Sequence, residues 1–213
     1  MSEEPPLAAE RAELVEYSCR MLADGLTVHT SGNLSVRRGN LVAITPTGVP
    51  YPELTPERIC VVDLDGQHVD GELRPSSELP MHTAIYRACD AAAVVHTHPL
   101  YGTALSVLID ELPPIHYLIA LLGGPVRVAP YARYGSTELA DAAVRTMADR
   151  YAVLLRNHGA TTHGATLEQA YQRSVYLEWL CRLYHQARLL GEPTLLSPDE
   201  LAEATRQLGS YGQ

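Results

Sequence analysis

The chain has 213 residues, is 46% hydrophobic, and carries 16 basic against 25 acidic residues, for a formal charge of −9. All of the basic residues are arginine, and the absent lysine excludes Schiff-base catalysis, pyridoxal-phosphate chemistry and a Walker-type phosphate loop. The acidic balance argues against nucleic acid as a partner, so an anionic substrate must be held by local donors rather than by the overall field. This length suits one domain over 1–213 with a single core. No apolar run approaches the ~20 residues of a membrane-spanning helix. Met1-Ser2-Glu3-Glu4-Pro5-Pro6 lacks the basic-then-apolar pattern of a secretory leader. The scattered Cys19, Cys60, Cys89 and Cys181 read as reduced thiols, so the expectation is a cytoplasmic protein without a membrane partner.

In chain order, Leu7, Leu14, Val15, Cys19 and Leu22 share a helical face and predict a helix over 7–23, ended by Asp24-Gly25. Segments 33–37 and 41–44 alternate as a hairpin joined through Arg38-Gly39-Asn40. Thr45-Pro46-Thr47-Gly48 reads as a turn and 59–64 as a strand. Pro75-Ser76-Ser77 announces a helix to about residue 89, with Ser77 as its cap and Pro80 in its first turn. A strand over 92–98 stops at Pro99, and a helix over 101–107 follows. Segment 115–122 is apolar and fits either element. Beyond it come a strand over 126–129, a helix over 136–149, a strand over 151–157 and a turn at Gly159. The long helix 166–190 and a capped helix 197–208 complete the chain. Early hairpins rather than repeated βαβ units indicate an α/β protein with one sheet and helices on its faces.

The chemistry gathers at element ends. In His96-Thr97-His98 the two imidazoles at i and i+2 project to one face of a strand, a two-toothed metal grip. His158, before Gly159, is a third candidate, and Glu78, in the first turn of the Ser77 helix, a fourth. Three imidazoles and a carboxylate form a zinc-like set, though spacing leaves open whether they meet. Ser76-Ser77-Glu78 opens a helix whose free N–H groups suit a phosphate. The turns Thr30-Ser31-Gly32-Asn33 and Thr45-Pro46-Thr47-Gly48 add further hydroxyl and N–H donors. A metal beside such an anion nest describes a site for a small phosphorylated carbonyl compound.

Those segments, with Ile115-His116-Tyr117 and Asn157-His158-Gly159, run in one order along the chain. In that order they resemble the class II aldolase/adducin family, on the side of its zinc-dependent sugar-phosphate lyases. The resemblance covers nearly the whole chain. It implies a three-layer α/β/α fold with a central, largely antiparallel sheet, and a homotetramer with active sites at its subunit interfaces. It implies Zn2+, or another divalent metal, on Glu78, His96, His98 and His158. It implies substrate phosphate held by Asn33, Thr47, Gly48, Ser76 and Ser77, with Thr30 nearby. Glu78 would double as acid/base, Tyr117 would donate a proton in a neighbouring subunit's site, and Tyr211 would assist at the aldehyde end.

The implied reaction is reversible cleavage of a ketose-1-phosphate, of the L-fuculose or deoxypentulose kind, to dihydroxyacetone phosphate and an aldehyde. Without lysine, the carbanion left by that cleavage needs a metal as its electron sink. The rivals are pentulose-5-phosphate 4-epimerisation, whose relatives carry aspartate at the Glu78 position, and methylthioribulose-phosphate dehydration. An adducin-type interaction module would lack the metal set, and a zinc hydrolase would leave the anion nest and Tyr117 unexplained.

Among other residues, His82 shares a helix face with Glu78 and is assigned to packing or support of the site. His29, His68, His163 and His185 read as surface or capping residues, and His116 as shaping the pocket. Arg74 and Arg133 are possible anion contacts, Tyr134 a pocket residue, and Tyr171, Tyr176 and Tyr184 core or interface residues.

Overall fold

A computed structural model of the chain describes residues 5–209. In order, its elements are α1 (Ala8–Ala23), β1 (Asn33–Arg38), β2 (Leu41–Ile44), β3 (Cys60–Asp63), β4 (His68–Asp70) and α2 (Leu79–Ala88). There follow β5 (Ala93–Thr97), α3 (Leu100–Ser106), β6 (Glu111–Leu112), β7 (Val126–Ala129), α4 (Thr137–Met147), β8 (Ala152–Leu155) and β9 (Gly159–Gly164). The long α5 (Leu167–Leu190) and α6 (Pro198–Gly209) close the described chain. The strands form one sheet in the order β4-β3-β2-β1-β5-β9-β8-β7-β6. Every neighbouring pair is antiparallel except β7 and β8. No described helix is long and apolar enough to cross a membrane.

Alternation along the strands divides the core into layers. Val42 and Ile44 of β2, Val94 of β5 and Val153 and Leu155 of β8 pack beneath Met81 and Ile85 of α2 and Ala143 and Met147 of α4. Their neighbours Ala43, Ala93 and Val95 face the other way, onto Leu14 and Met21 of α1 and Leu167 and Tyr171 of α5. Further along that second face, Ala152 and Leu154 meet Leu105 of α3 and Leu177 and Leu180 of α5. Burying the valine, isoleucine and leucine side chains of these strands stabilises each by about 1.5–3 kcal/mol over leaving it in water. The result is a mixed α/β molecule whose largely antiparallel sheet lies between helical layers.

Several elements differ from the sequence-based expectation. The apolar segment 115–122 resolves into a 3-10 turn, Tyr117–Leu122. Helix α2 starts at Leu79, with Glu78 rather than Ser77 at the capping position, and the Glu78 side chain makes no cap hydrogen bond. Strand β9 follows Gly159 directly where a simple turn was expected. Its sequence, Gly-Ala-Thr-Thr-His-Gly, has no apolar alternation, because its buried positions are filled by hydroxyls. Thr162 Oγ1 bonds the Ala170 carbonyl at 2.7 Å and Ser174 Oγ at 2.7 Å, so a polar strand is satisfied inside the core. His163 on the same strand is buried rather than at the surface, its ring edge-on to Tyr151.

Candidate metal centre and substrate cavity

Strand β5 carries the first two histidines. Val94 and His96 share the face covered by α2 and α4, and His96 is wholly buried. His98, just beyond the strand, is held by its backbone N–H, which donates to the Leu26 carbonyl at 2.9 Å. His158 lies in the turn between β8 and β9, where Leu155 pairs with Gly159 and Asn157 adopts a left-handed φ of 55°. Two glycines make this packing possible. A Cβ on Gly159 would lie 2.2 Å from the Thr97 carbonyl oxygen, and one on Gly32, at a φ of +78°, would lie 2.8 Å from that of His96.

Glu78, His96, His98 and His158 thus converge, with one ligand atom from each lying within 4.8 Å of all the others. Glu78 Oε2 is 3.0 Å from His96 Nε2, Glu78 Oε1 is 3.3 Å from His158 Nε2, and the two Nε2 atoms of His96 and His98 are 2.9 Å apart. His96 Nδ1 donates to the Ala160 carbonyl at 2.9 Å, so Nε2 is the ring atom turned to the cluster. Burial, reinforced by the neighbouring imidazoles, lowers His98 to about 3; burial and His96 lower His158 to about 4. Both therefore enter the cluster neutral at pH 7. Burial works to raise Glu78, but His96, His158 and the Asn33 amide outweigh it and hold the carboxyl below the usual range. Among the described residues Glu78 Oε1 accepts no hydrogen bond although it is buried. Three imidazole nitrogens and a carboxylate turned toward one point are the donors that a divalent cation takes. This donor set therefore fits a divalent metal.

Glu78, His98 and His158 of the cluster line one wall of a cavity of about 290 Å³, with His96 buried behind them. The other wall contains Thr30, Asn33, Thr47, Gly48, Ser76 and Ser77, the whole anion nest anticipated from the sequence. A short antiparallel bridge between Pro46 and Pro75 brings these segments together. In it Thr47 N–H donates to Arg74 O, and Ser76 N–H to Thr45 O, each at 3.0 Å. Ser76 Oγ accepts from the Glu78 N–H at 3.2 Å, joining the nest to the cluster. Arg74 and Arg133 are exposed and do not line the cavity, so its donors are hydroxyls, amides and backbone N–H groups. Tyr134 lines it as anticipated; Tyr131, which sequence reasoning missed, lines it too. The only signal for Tyr131 is its place just after the strand Val126–Ala129 and Pro130, where loops build sites.

Tyr117 stands elsewhere. It is 46% exposed and borders a separate groove of about 780 Å³ between its own 3-10 turn, α5 and α6. Its ring packs on His116 at 4.3 Å between centroids, and His116 Nδ1 accepts from the Leu118 N–H at 3.2 Å. His116 therefore serves this turn rather than the cavity. Tyr211 lies outside the described residues.

The chain matches the family described as Class II Aldolase and Adducin N-terminal domain over residues 12–185. It is 43% identical over 210 residues to a 5-deoxy-D-ribulose 1-phosphate aldolase of Bacillus thuringiensis, covering 97% of this chain and 99% of that one. It is 38% identical over 203 residues to an L-fuculose phosphate aldolase of Escherichia coli, covering 94% of each. A solved structure of an L-fuculose 1-phosphate aldolase superposes with a TM-score of 0.92 at 38% identity, covering 94% of this chain and 96% of that one.

Proposed function

The chain belongs to the class II aldolase and adducin family, and we propose that it is a zinc-dependent aldehyde-lyase acting on a ketose-1-phosphate. The substrate is of the 5-deoxyribulose-1-phosphate or L-fuculose-1-phosphate kind, and the products are dihydroxyacetone phosphate and an aldehyde. One observation carries this reading: Glu78, His96, His98 and His158 converge, and three of them, Glu78, His98 and His158, line a cavity whose other wall is a lysine-free nest of hydroxyl and amide donors. The curated relatives named above support it.

The residues divide the work. Ser76, Ser77, Thr30, Thr47, Gly48 and Asn33 hold the phosphate through neutral donors. Glu78, His96, His98 and His158 would hold a divalent metal, which would supply the electron sink that lysine supplies in other aldolases. Glu78 Oε1, free of any described hydrogen-bond donor, is the atom that exchanges a proton with the substrate carbon. In cleavage Tyr117 of a neighbouring copy takes the proton that leaves the hydroxyl at the cleaved carbon, and in the reverse direction it returns that proton to the aldehyde oxygen; Tyr211 assists there. The same reading places a single domain, 1–213, in a homotetramer in the cytoplasm.

Zinc-loaded and chelator-stripped protein, offered a panel of ketose-1- and ketose-5-phosphates, tests the proposal. Dihydroxyacetone phosphate should be released from 1-phosphates only by the loaded protein. Full activity after stripping, or epimers of the 5-phosphates without cleavage, overturns it.

A further inference from the structure

Helix α2 and strand β1 face each other through polar side chains. Glu78 and His82 are one turn apart on the helix side, while Asn33 and Ser35, at i and i+2, point from the strand toward them. Tyr86 follows one turn beyond His82. Between these five runs an unbroken chain of hydrogen bonds, all buried. Asn33 Nδ2 lies 2.9 Å from Glu78 Oε2, His82 Nε2 lies 2.6 Å from Asn33 Oδ1, Ser35 Oγ lies 2.6 Å from His82 Nδ1, and Tyr86 Oη lies 2.7 Å from Ser35 Oγ.

The direction of every bond follows from its neighbour. An ionised carboxylate only accepts, so the nitrogen of the Asn33 amide faces Glu78 and its oxygen faces His82. A carbonyl oxygen only accepts as well, so His82 Nε2 carries the hydrogen. A neutral imidazole has one N–H, hence Nδ1 accepts from Ser35, and the Ser35 oxygen in turn accepts from the Tyr86 hydroxyl. All the hydrogens point toward Glu78. Turned over, the Asn33 amide would put its oxygen against Glu78 Oε2 and its NH2 against the His82 N–H, both repulsive.

We infer that His82 is a positioning residue, which by donating to Asn33 Oδ1 keeps the Asn33 amide nitrogen on Glu78 and so keeps Glu78 aimed at its three histidines. This rests on Glu78 being a metal ligand. Partners one step behind a ligand set its orientation and, when lost, weaken metal binding by roughly 10–100-fold.

The test is zinc affinity, measured by competition with a chromophoric chelator, in the wild type, His82→Gln, His82→Asn and Glu78→Ala. The glutamine amide reaches the place of imidazole Nε2 and can donate to Asn33; the asparagine amide, one carbon shorter, reaches only the Ser35 side. His82→Asn should bind zinc about 10-fold more weakly than the wild type, and His82→Gln within about 3-fold of it. Equal affinities for the two variants, whether both weak or both like the wild type, overturn the inference. Wild-type zinc affinity in Glu78→Ala instead overturns the ligand reading beneath it. A second measurement needs no variant. Side-chain 15N NMR of metal-free wild-type protein should show His82 as the Nε2–H tautomer, and the Nδ1–H tautomer overturns the inference.

Discussion

Two regions of this molecule carry the side chains proposed to act in catalysis, and they are built in opposite ways. At the end of β5, Asn33, His82, His96 and Thr161 are buried, and each has hydrogen-bond partners within the same chain. Beside Tyr117 the groove is more than twice as large, about 780 Å³ against about 290 Å³, and Tyr117 and Trp179 on its side of the fold are each more than 40% exposed. One copy of the chain therefore completes an anion nest and a four-residue ligand cluster, while it leaves Tyr117 outside that cavity. A buried cluster must be satisfied before the chain is stable, because unpaired polar groups in the core carry a desolvation penalty. A residue that acts on another copy must stay exposed in its own. The contrast supports the proposal of a site shared between subunits.

The largest effect should come from breaking the cluster itself. His96→Ala is expected to abolish bound zinc and to lower kcat by about 10³-fold or more, since the metal supplies several kcal/mol of charge stabilisation. Metal analysis and dihydroxyacetone phosphate assays read both, and activity retained without metal would remove the cluster from the chemistry. Next comes the exposed region. Tyr117→Phe should lower kcat by about 10²–10⁴-fold with zinc content unchanged, the range for losing a general acid. Mixed oligomers of Tyr117→Phe and His96→Ala chains should recover activity that neither has alone, whereas no recovery would place both residues in one subunit's site.

Smaller effects sharpen the division within the cavity. Ser76→Ala should raise KM for the phosphorylated substrate about tenfold with little change in kcat, as for one hydrogen bond to a charged group. A fall in kcat alone would assign Ser76 to the chemistry rather than to the phosphate. The smallest effect concerns pH. His82, His98 and His158 are lowered by burial to about 3, 3 and 4. Above their ordinary value of about 6.5 neither folded nor unfolded chain holds these protons, so they contribute no pH dependence there. Below it the unfolded chain takes up protons that the folded chain refuses, and folded stability declines as pH falls. Glu78, held below the ordinary carboxyl range, acts in the same direction at lower pH. The unfolding midpoint of metal-free protein should therefore drop between pH 7 and pH 4. Added zinc should delay the drop, because ligands must shed protons to bind. A flat profile in the metal-free protein would mean that the imidazoles are already solvated.

Most of the site could be read before folding, because its residues sit where local rules speak. The i, i+2 histidines at a strand end, a double serine before an acidic helix start, and hydroxyl-rich turns are recognisable in one dimension. Three strands could not be read in that way. β4 and β6 span only His68–Asp70 and Glu111–Leu112, and β9 is buried through threonine hydroxyls rather than through an apolar pattern. His163 was misplaced for the same reason as β9. Glu78 as the capping residue of α2, with its side chain turned from the helix into the cluster, was equally hidden, since local sequence favours Ser77 for that position.

The sequence by itself determined which chemistry is open. Without lysine, carbanion stabilisation falls to a metal on histidine and carboxylate; the order of the motifs points to one family, and hydroxyl-rich turns offer neutral donors for a phosphate. The tertiary structure alone decided that Glu78, His96, His98 and His158 meet, through the β5–β9 and β1–β5 pairings and glycines small enough to let backbones touch. It also decided that the His82 ring meets Asn33 Oδ1 while the Asn33 amide nitrogen meets Glu78 Oε2, and that Tyr117 lies outside the residues lining the cavity of its own chain. These are contacts between residues tens of positions apart, and no local periodicity encodes them.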